Sequence, residues 1–496
     1  MTRTKLKRLF TAALLLCFIV VLLAGCTQGE ISNKETEPAS SSATKPSNKE
    51  EITLRVLVEE ALGADLGPAA IDQLHNYLPR WKSSFRSSHK NVEIVIEKLP
   101  KGDGRAEMLQ RLRAEMMVGE GPDILLLPTL PTFSIVWTAY VEPLIPDVQT
   151  AMHNGLFQDI SAYYDADTEL DKEGLNSTVM DAGLLDGARY VLPLCYDMPV
   201  ACVVRDAVAQ SGVSQDIFTY NAIDLMHTVA QMEDLSQTGS FYQFYDTGSP
   251  MYFNFFPQLI DYDTGEVAVT QETLAEYLRA WQACQAQTYR SKDVGGTRSI
   301  SRELMFYYGD LSNIYWAEEG NFASCTSLRL AADNLLQART LGMELDMYPM
   351  RAVDGSVVAD VTLYGAVTSG CEHPEIAYEF IREFLGEKFQ LQTERLTGLD
   401  FYGWPVRTKG SVVSMCKAAL TFVGSEAVNS ENITDSEMPI LDAQIDHVRF
   451  SIPLETEFAR TVKKLINQTT GKAFPTDIDQ VAADWVKKLQ THADEG

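Results

Sequence analysis

The chain has 496 residues, with 41 Lys+Arg against 68 Asp+Glu and a formal net charge of −27. So acidic a surface repels phosphate backbones and anionic headgroups, which excludes a nucleic-acid binder and a peripheral binder of anionic lipid. A hydrophobic content of 45% excludes wholesale disorder, and the length supplies core for two or three domains.

Residues 1–25 hold Arg3, Lys5, Lys7 and Arg8 and no acid, and an apolar run follows over 9–23. This is how an export signal is built. A run of about 15 residues is short for a ~30 Å hydrocarbon core. The run ends in Leu23-Ala24-Gly25-Cys26, which resembles the bacterial lipoprotein box. That resemblance implies removal of residues 1–25, lipidation of Cys26 and attachment to the outer face of the cell membrane. Residues 26–51 are polar and cannot bury enough surface to offset ordering entropy, so they read as a flexible tether. No later window is long and apolar enough to span.

Residues 53–60 form a short β-branched run with Leu54, Val56 and Val58 on one face. Residues 69–89 carry Ile71, Leu74, Leu78, Trp81 and Phe85 at helical steps. Residues 91–99 alternate again, and 105–118 form a second amphipathic helix ended by Gly119. Residues 122–128 are almost continuously apolar, as a strand covered on both faces reads. Strand alternating with helix predicts a parallel sheet flanked by helices, hence an α/β fold, with ligand at the carboxyl ends of its strands. Helical patterns recur at 221–235, 270–287, 324–341, 374–385 and 475–490, and 361–367 is a short strand.

The catalytic inventory is thin. No GxSxG, HExxH or GxxxxGK[ST] occurs. Cys195, Cys202, Cys284, Cys325, Cys371 and Cys416 form no CxxC and no zinc spacing, and read as buried filler without an obligatory disulfide. Residues 165–171 look faintly like a calcium loop, but Leu170 stands where Gly is needed and Asn176 where Glu is needed. A solvated acidic loop is the reading there. The seven His never sit at ligand spacing to each other, so no metal and no cofactor is expected. Glu59-Glu60 and Glu318-Glu319 are the paired carboxylates that a glycosidase would require.

Five segments in order resemble the extracellular solute-binding proteins of ABC importers, in the group that binds sugars and oligosaccharides. Gly119-Glu120-Gly121-Pro122-Asp123-Ile124 matches that family's GxxPD(V/I). Gly187 through Pro193 matches its G-(K/R)-Y-x-L-P, with Ala188 before Arg189 as a departure. Residues 200–213 resemble its entry into the second lobe, with Arg205-Asp206 where Asn-Lys-Asp is usual. Residues 372–385 resemble an SKNPEAAWEFIKFL helix, and Gly403-Trp404-Pro405-Val406-Arg407 resembles a G-x-x-P-x-(R/K) crossing.

The resemblance implies a two-lobed periplasmic-binding-protein-like fold of type II, each lobe a mostly parallel sheet flanked by helices. Lobe 1 would be 52–197 plus 364–400, and lobe 2 would be 198–363 plus 401–496. The crossings would fall near 196–200, 360–365 and 399–405. It implies a monomeric, lipid-anchored, non-enzymatic receptor that hands a small solute to ABC permease subunits. A sugar site needs flat aromatics for the CH face and acids or amides for the hydroxyls. The residues of that kind at strand ends and crossings are Glu59, Thr129, Phe133, Tyr196, Asp197, Tyr252, Trp316, Glu318, Tyr402 and Trp404. Trp81, Trp137, Trp281 and Trp485, with Phe253, Phe255 and Phe256, read as core. Asp123 reads as a tie for the loop before it. A lipoprotein glycosidase using Glu59, Glu318 or Glu319, and a receptor feeding a sensor kinase, are the alternatives.

Overall fold

The computed structural model describes residues 51–59, 73–100, 102–129, 142–231, 256–294, 323–340, 342–391, 403–416, 434–466 and 472–495. In chain order, the elements that position the site begin with β1 (Ile52–Glu59), α1 (Gln73–Ser88), β2 (Val92–Leu99), α2 (Arg105–Met117), β3 (Ile124–Pro128) and α3 (Val148–His153). Next come β4 (Val191–Asp197), β5 (Pro199–Val204), α4 (Ala222–Gln231), the hairpin β6 (Ile260–Asp261) and β7 (Glu266–Val267), and α5 (Gln271–Val294). The chain continues with β8 (Ala323–Ser327), α6 (Leu328–Thr340), β9 (Leu345–Pro349), β10 (Val358–Val367) and α7 (Pro374–Arg382). It closes with β11 (Trp404–Pro405), β12 (His447–Phe450), α8 (Pro453–Lys463) and α9 (Ile478–Glu495).

Seven strands form one sheet in the order β11-β4-β10-β3-β1-β2, with β12 also paired to β10. The pairs β1–β2, β1–β3 and β10–β12 are parallel, as the strand–helix alternation predicts. The pairs β10–β3, β10–β4 and β11–β4 are antiparallel. In the smaller sheet, β8 and β9 flank β5, and both pairings are antiparallel. The mostly parallel expectation is therefore corrected to a mixed sheet and an antiparallel one. The cause is the passage at Met198: β4 runs straight on into β5, and β10 returns from the small sheet to lie beside β4 in the opposite direction. Residues 324–327 are also strand rather than the start of a helix, because they pair with residues 199–202 of β5.

Three apolar clusters run through the described residues. One packs Leu54, Val56 and Val58 of β1 against Trp81 and Phe85 of α1 and Phe380 and Ile381 of α7. It continues through Met198, Val200 and Cys202 onto α6. The second lies on the opposite face of the large sheet, where Leu57, Leu125 and Leu127 meet α2 and α3. β3 feeds both clusters, which is why its sequence is continuously apolar. The third joins Ala201 and Val203 of β5 to α4, α5, α8 and α9, with Trp281 and Trp485 inside it. Cys195, Cys202, Cys284, Cys371 and Cys416 are buried.

Residues 399–405 were expected to carry the chain into the second lobe. Residues 392–402 lie outside the described residues. Trp404-Pro405 pairs with Tyr196-Cys195 of β4. Trp404, Val406, Val412, Met415 and Ile440 pack in the first cluster, and the chain next enters the third cluster at Ile452.

Candidate functional site

Glu59 ends β1 and is only 4% exposed. Arg105, at the start of α2, places its guanidinium 2.5 Å from the Glu59 carboxylate. The same guanidinium donates to the carbonyls of Glu142 (2.6 and 2.9 Å) and Pro100 (2.9 Å). One cation thus staples the ends of β1 and β2 to the segment entering α3. Burial pushes the Glu59 carboxyl up and the Arg105 charge opposes this. Thr129, just past β3, donates its hydroxyl to the Val361 carbonyl at 2.6 Å. Both residues stand at strand ends, and both are engaged by their own fold.

At the passage between sheets, Tyr196 and Asp197 are buried. Asp197 accepts the backbone N–H groups of Met198 (2.9 Å) and Arg329 (3.3 Å). It lies at the N-terminal end of α6, where a carboxylate complements exposed N–H groups. Burial outweighs this help and the Arg329 charge, and its pKa is raised to about 6. Burial also raises the Tyr196 phenol, whose side chain bonds to Asn176. Trp404 sits beside Tyr196 and is 1% exposed. Gly403 before it is required by closeness: a Cβ there would lie 2.7 Å from the Tyr196 carbonyl. Phe133, Tyr252, Trp316, Glu318, Tyr402 and Cys26 lie outside the described residues, as do Glu60, Trp137, Phe253, Phe255 and Glu319.

Two other acids are tied into the fold. Asp123 accepts the Arg55 N–H at 2.7 Å and so ties the loop before β3. Asp167 accepts the N–H groups of Glu169 and Leu170 and the Tyr378 hydroxyl at 2.9 Å, closing its loop on protein groups. Among the described residues no group of three or more His, Cys, Asp or Glu could hold a metal ion.

A polar boundary that the sequence does not announce lies between the large sheet and the third cluster. Arg449 of β12 pairs with Asp360 of β10 at 2.9 Å and with Glu455 of α8 at 3.0 Å. All three are buried. Glu455 also accepts the Ile452 N–H at 3.0 Å. Burial drives the Glu455 carboxyl upward against the Arg449 charge. Nearby, Asp147 caps α3 through the Thr150 N–H at 3.0 Å. Its other oxygen accepts the Tyr262 hydroxyl at 2.7 Å and lies 3.2 Å from His492 Nε2. Despite burial, those three partners hold the Asp147 carboxyl below its ordinary value. Tyr262 follows β6 and His492 belongs to α9, so one carboxylate fastens elements of the third cluster to α3. Between these groups is a cavity of about 200 Å³, walled by Gln149, residues 257–260, Tyr262, residues 447–450, Ile452 and Glu455. Helical and strand periodicity mark apolar faces, and the only local signal here is an acid two residues into a helix opened by Pro453.

No family model matches the chain, and no curated protein matches it. Solved structures do. An extracellular solute-binding protein family 1 structure from Alicyclobacillus acidocaldarius subsp. acidocaldarius DSM 446 is 14% identical with a TM-score of 0.53, over 90% of this chain and 99% of that one. A periplasmic oligogalacturonide-binding protein from Yersinia enterocolitica is 12% identical with a TM-score of 0.52, again over 90% and 99%. A de novo designed cysteine esterase is 12% identical with a TM-score of 0.50 over the same shares. The chain has the α/β fold of the two-lobed extracellular solute-binding proteins.

Proposed function

We propose that this chain is a solute receptor of an ABC importer and that its ligand is a carbohydrate. The observation that carries the reading is the architecture: two sheets, each with its own helices, meet along a polar boundary that holds a cavity. A neighbour of the same fold is described as binding oligogalacturonide, which supports the carbohydrate class. With β10, β11 and β12 in the large sheet, the proposed bounds move from 364–400 and 401–496: lobe 1 is 52–197 and 358–451, and lobe 2 is 198–357 and 452–496. Ligand binding between lobes favours one arrangement by differential affinity and involves no covalent step. Phe133, Tyr252, Trp316, Glu318 and Tyr402 are the proposed ligand contacts, because they pair flat rings with acceptors near the crossings. Glu59, Thr129, Tyr196, Asp197 and Trp404 lie buried at strand ends.

Residues 1–25 are removed, Cys26 carries the lipid, and 26–51 tether the receptor outside the cell membrane beside permease subunits with a separate ATPase. Loss of palmitate labelling in Cys26→Ser checks the anchor. Titration calorimetry against neutral mono- and oligosaccharides tests the ligand class. Saturable heat with one or more sugars is expected, without turnover of chromogenic glycosides. Heat with peptides or polyamines alone would overturn the carbohydrate assignment, and glycoside turnover lost on replacing Glu318 would favour an enzyme.

A further inference from the structure

Asp147 joins three elements that lie far apart in the sequence. One oxygen caps α3 through the Thr150 N–H, and the other accepts the Tyr262 hydroxyl at 2.7 Å. That second oxygen also lies 3.2 Å from Nε2 of His492, in the last turn of α9. α3 packs in the second cluster, on the large sheet, whereas α9 and Tyr262 pack in the third cluster. The ring of His153, at the end of α3, lies 6.4 Å from the Tyr262 ring and within 17° of parallel. Gln490 of α9 donates to the Gly265 carbonyl at 3.0 Å, which fixes the β6–β7 hairpin to α9. The contacts to Asp147 therefore run from one body of packing to the other.

The Asp147 side chain is 6% exposed and that of His492 24%, so the pair is screened less than one on the open surface. Burial opposes the Asp147 charge, but His492, the Thr150 N–H and Tyr262 outweigh it, and the carboxylate is ionised above about pH 4. Histidine is the side chain whose charge changes between about pH 5 and 8. With its proton, His492 gives Asp147 a charge-assisted hydrogen bond; without it, only a neutral imidazole faces the carboxylate. The neighbouring charges are engaged elsewhere or face solvent. On α9, Lys488 and Asp494 bond to Glu457 and Gln490, and Glu495 is exposed. On the hairpin, Asp261 accepts the N–H groups of Asp263 and Thr264, while Asp263 and Glu266 are exposed. α5 pairs Arg279 with Asp479 and turns Glu272 and Glu276 to solvent. Arg449 of β12 and Glu455 of α8 also act on Tyr262, and they pair with each other; His447 of β12 is exposed.

We propose that Asp147, Tyr262 and His492 form a latch that holds the two lobes together in the absence of any guest, and that protonation of His492 tightens it. The latch rests on the two-lobed fold and not on the nature of the ligand. Replacing a neutral contact by a charge-assisted one should raise the closed-to-open ratio of the ligand-free chain about fivefold from pH 8 to pH 5.5. Small-angle X-ray scattering of the ligand-free chain from residue 27 onward, at both pH values, reads this as a smaller radius of gyration in acid. Each variant is first shown to melt as cooperatively as wild type. His492→Gln keeps a hydrogen-bonding side chain that does not titrate, and Asp147→Asn keeps the α3 cap without its charge. Both should scatter at pH 5.5 as wild type does at pH 8. Tyr262→Phe should be more open at both pH values and still contract in acid. His153→Gln removes the other titrating ring and should contract as wild type does. Any contraction caused by other buried acids, such as Asp197 and Glu455, persists in His492→Gln and is measured by it. A wild-type radius that does not change with pH overturns the latch. So does a contraction that survives whole in His492→Gln and Asp147→Asn, or one that disappears in His153→Gln. No sugar enters the measurement, so the latch and the carbohydrate reading can each fail alone.

Discussion

Asp197 shows how one buried acid sets a pH response. Its pKa is raised by burial from 3.8 to about 6. Below about pH 4 the acid is protonated in folded and unfolded chains alike. As the pH rises toward 6 the unfolded chain ionises first, so stability is lost across that window, by roughly 2–3 kcal/mol. Asp197→Asn should remove this slope, and melts of both proteins at pH 4, 5, 6 and 7 would show it; parallel curves would contradict the burial argument. Arg105 makes the opposite case, since it compensates a buried charge. Arg105→Ala leaves Glu59 without its cation and should cost about 3–5 kcal/mol by chemical denaturation, partly recovered when Glu59→Gln is added. An unchanged midpoint would mean that Glu59 is solvated. Strand-end position is legible in a sequence, because the apolar run stops at Glu59 and at Pro128. The partner is not. Arg105 lies 46 positions from Glu59 in numbering, and no spacing rule links a strand end to the first turn of a later helix.

Elements were legible wherever one face is apolar. β1, β2, α1, α2, α7 and α9 follow the periods their residues predict, and β3 is buried along Ile124–Leu127 as its unbroken apolar run requires. Pairing direction was not legible, because alternation of strand and helix identifies neighbours in sequence but not the strand that returns from another sheet. β10 enters the large sheet that way, and it reverses the direction of β4 and β3 relative to itself. β11 is held by equally non-local packing. Gly403→Ala would drive a methyl against the Tyr196 carbonyl and the Thr362 hydroxyl, and should cost about 1–3 kcal/mol in thermal or chemical melts. A melt equal to wild type would mean that β11 can move away from β4 at no cost.

Among the described residues, the large sheet and the three-stranded sheet are joined by passages at Met198, before Val358 and at Ile452, with two two-stranded sheets beside them. Charged groups gather at those passages: Asp197 at the first, Asp360 past the second, and Arg449 with Glu455 about the third. A boundary stitched by ion pairs and hydrogen bonds can separate into water at lower cost than an apolar one, because each group regains hydration. Asp147, Tyr262 and His492 meet across the boundary in this way, while the first apolar cluster runs on from the large sheet through Met198, Val200 and Cys202 to α6. Small-angle X-ray scattering of the chain from residue 27 onward, with and without a saturating sugar that gives heat in calorimetry, tests the proposed two-lobed receptor most directly. The radius of gyration should shrink and the profile should change on binding. Superimposable profiles, free and saturated, would contradict closure of one lobe on the other.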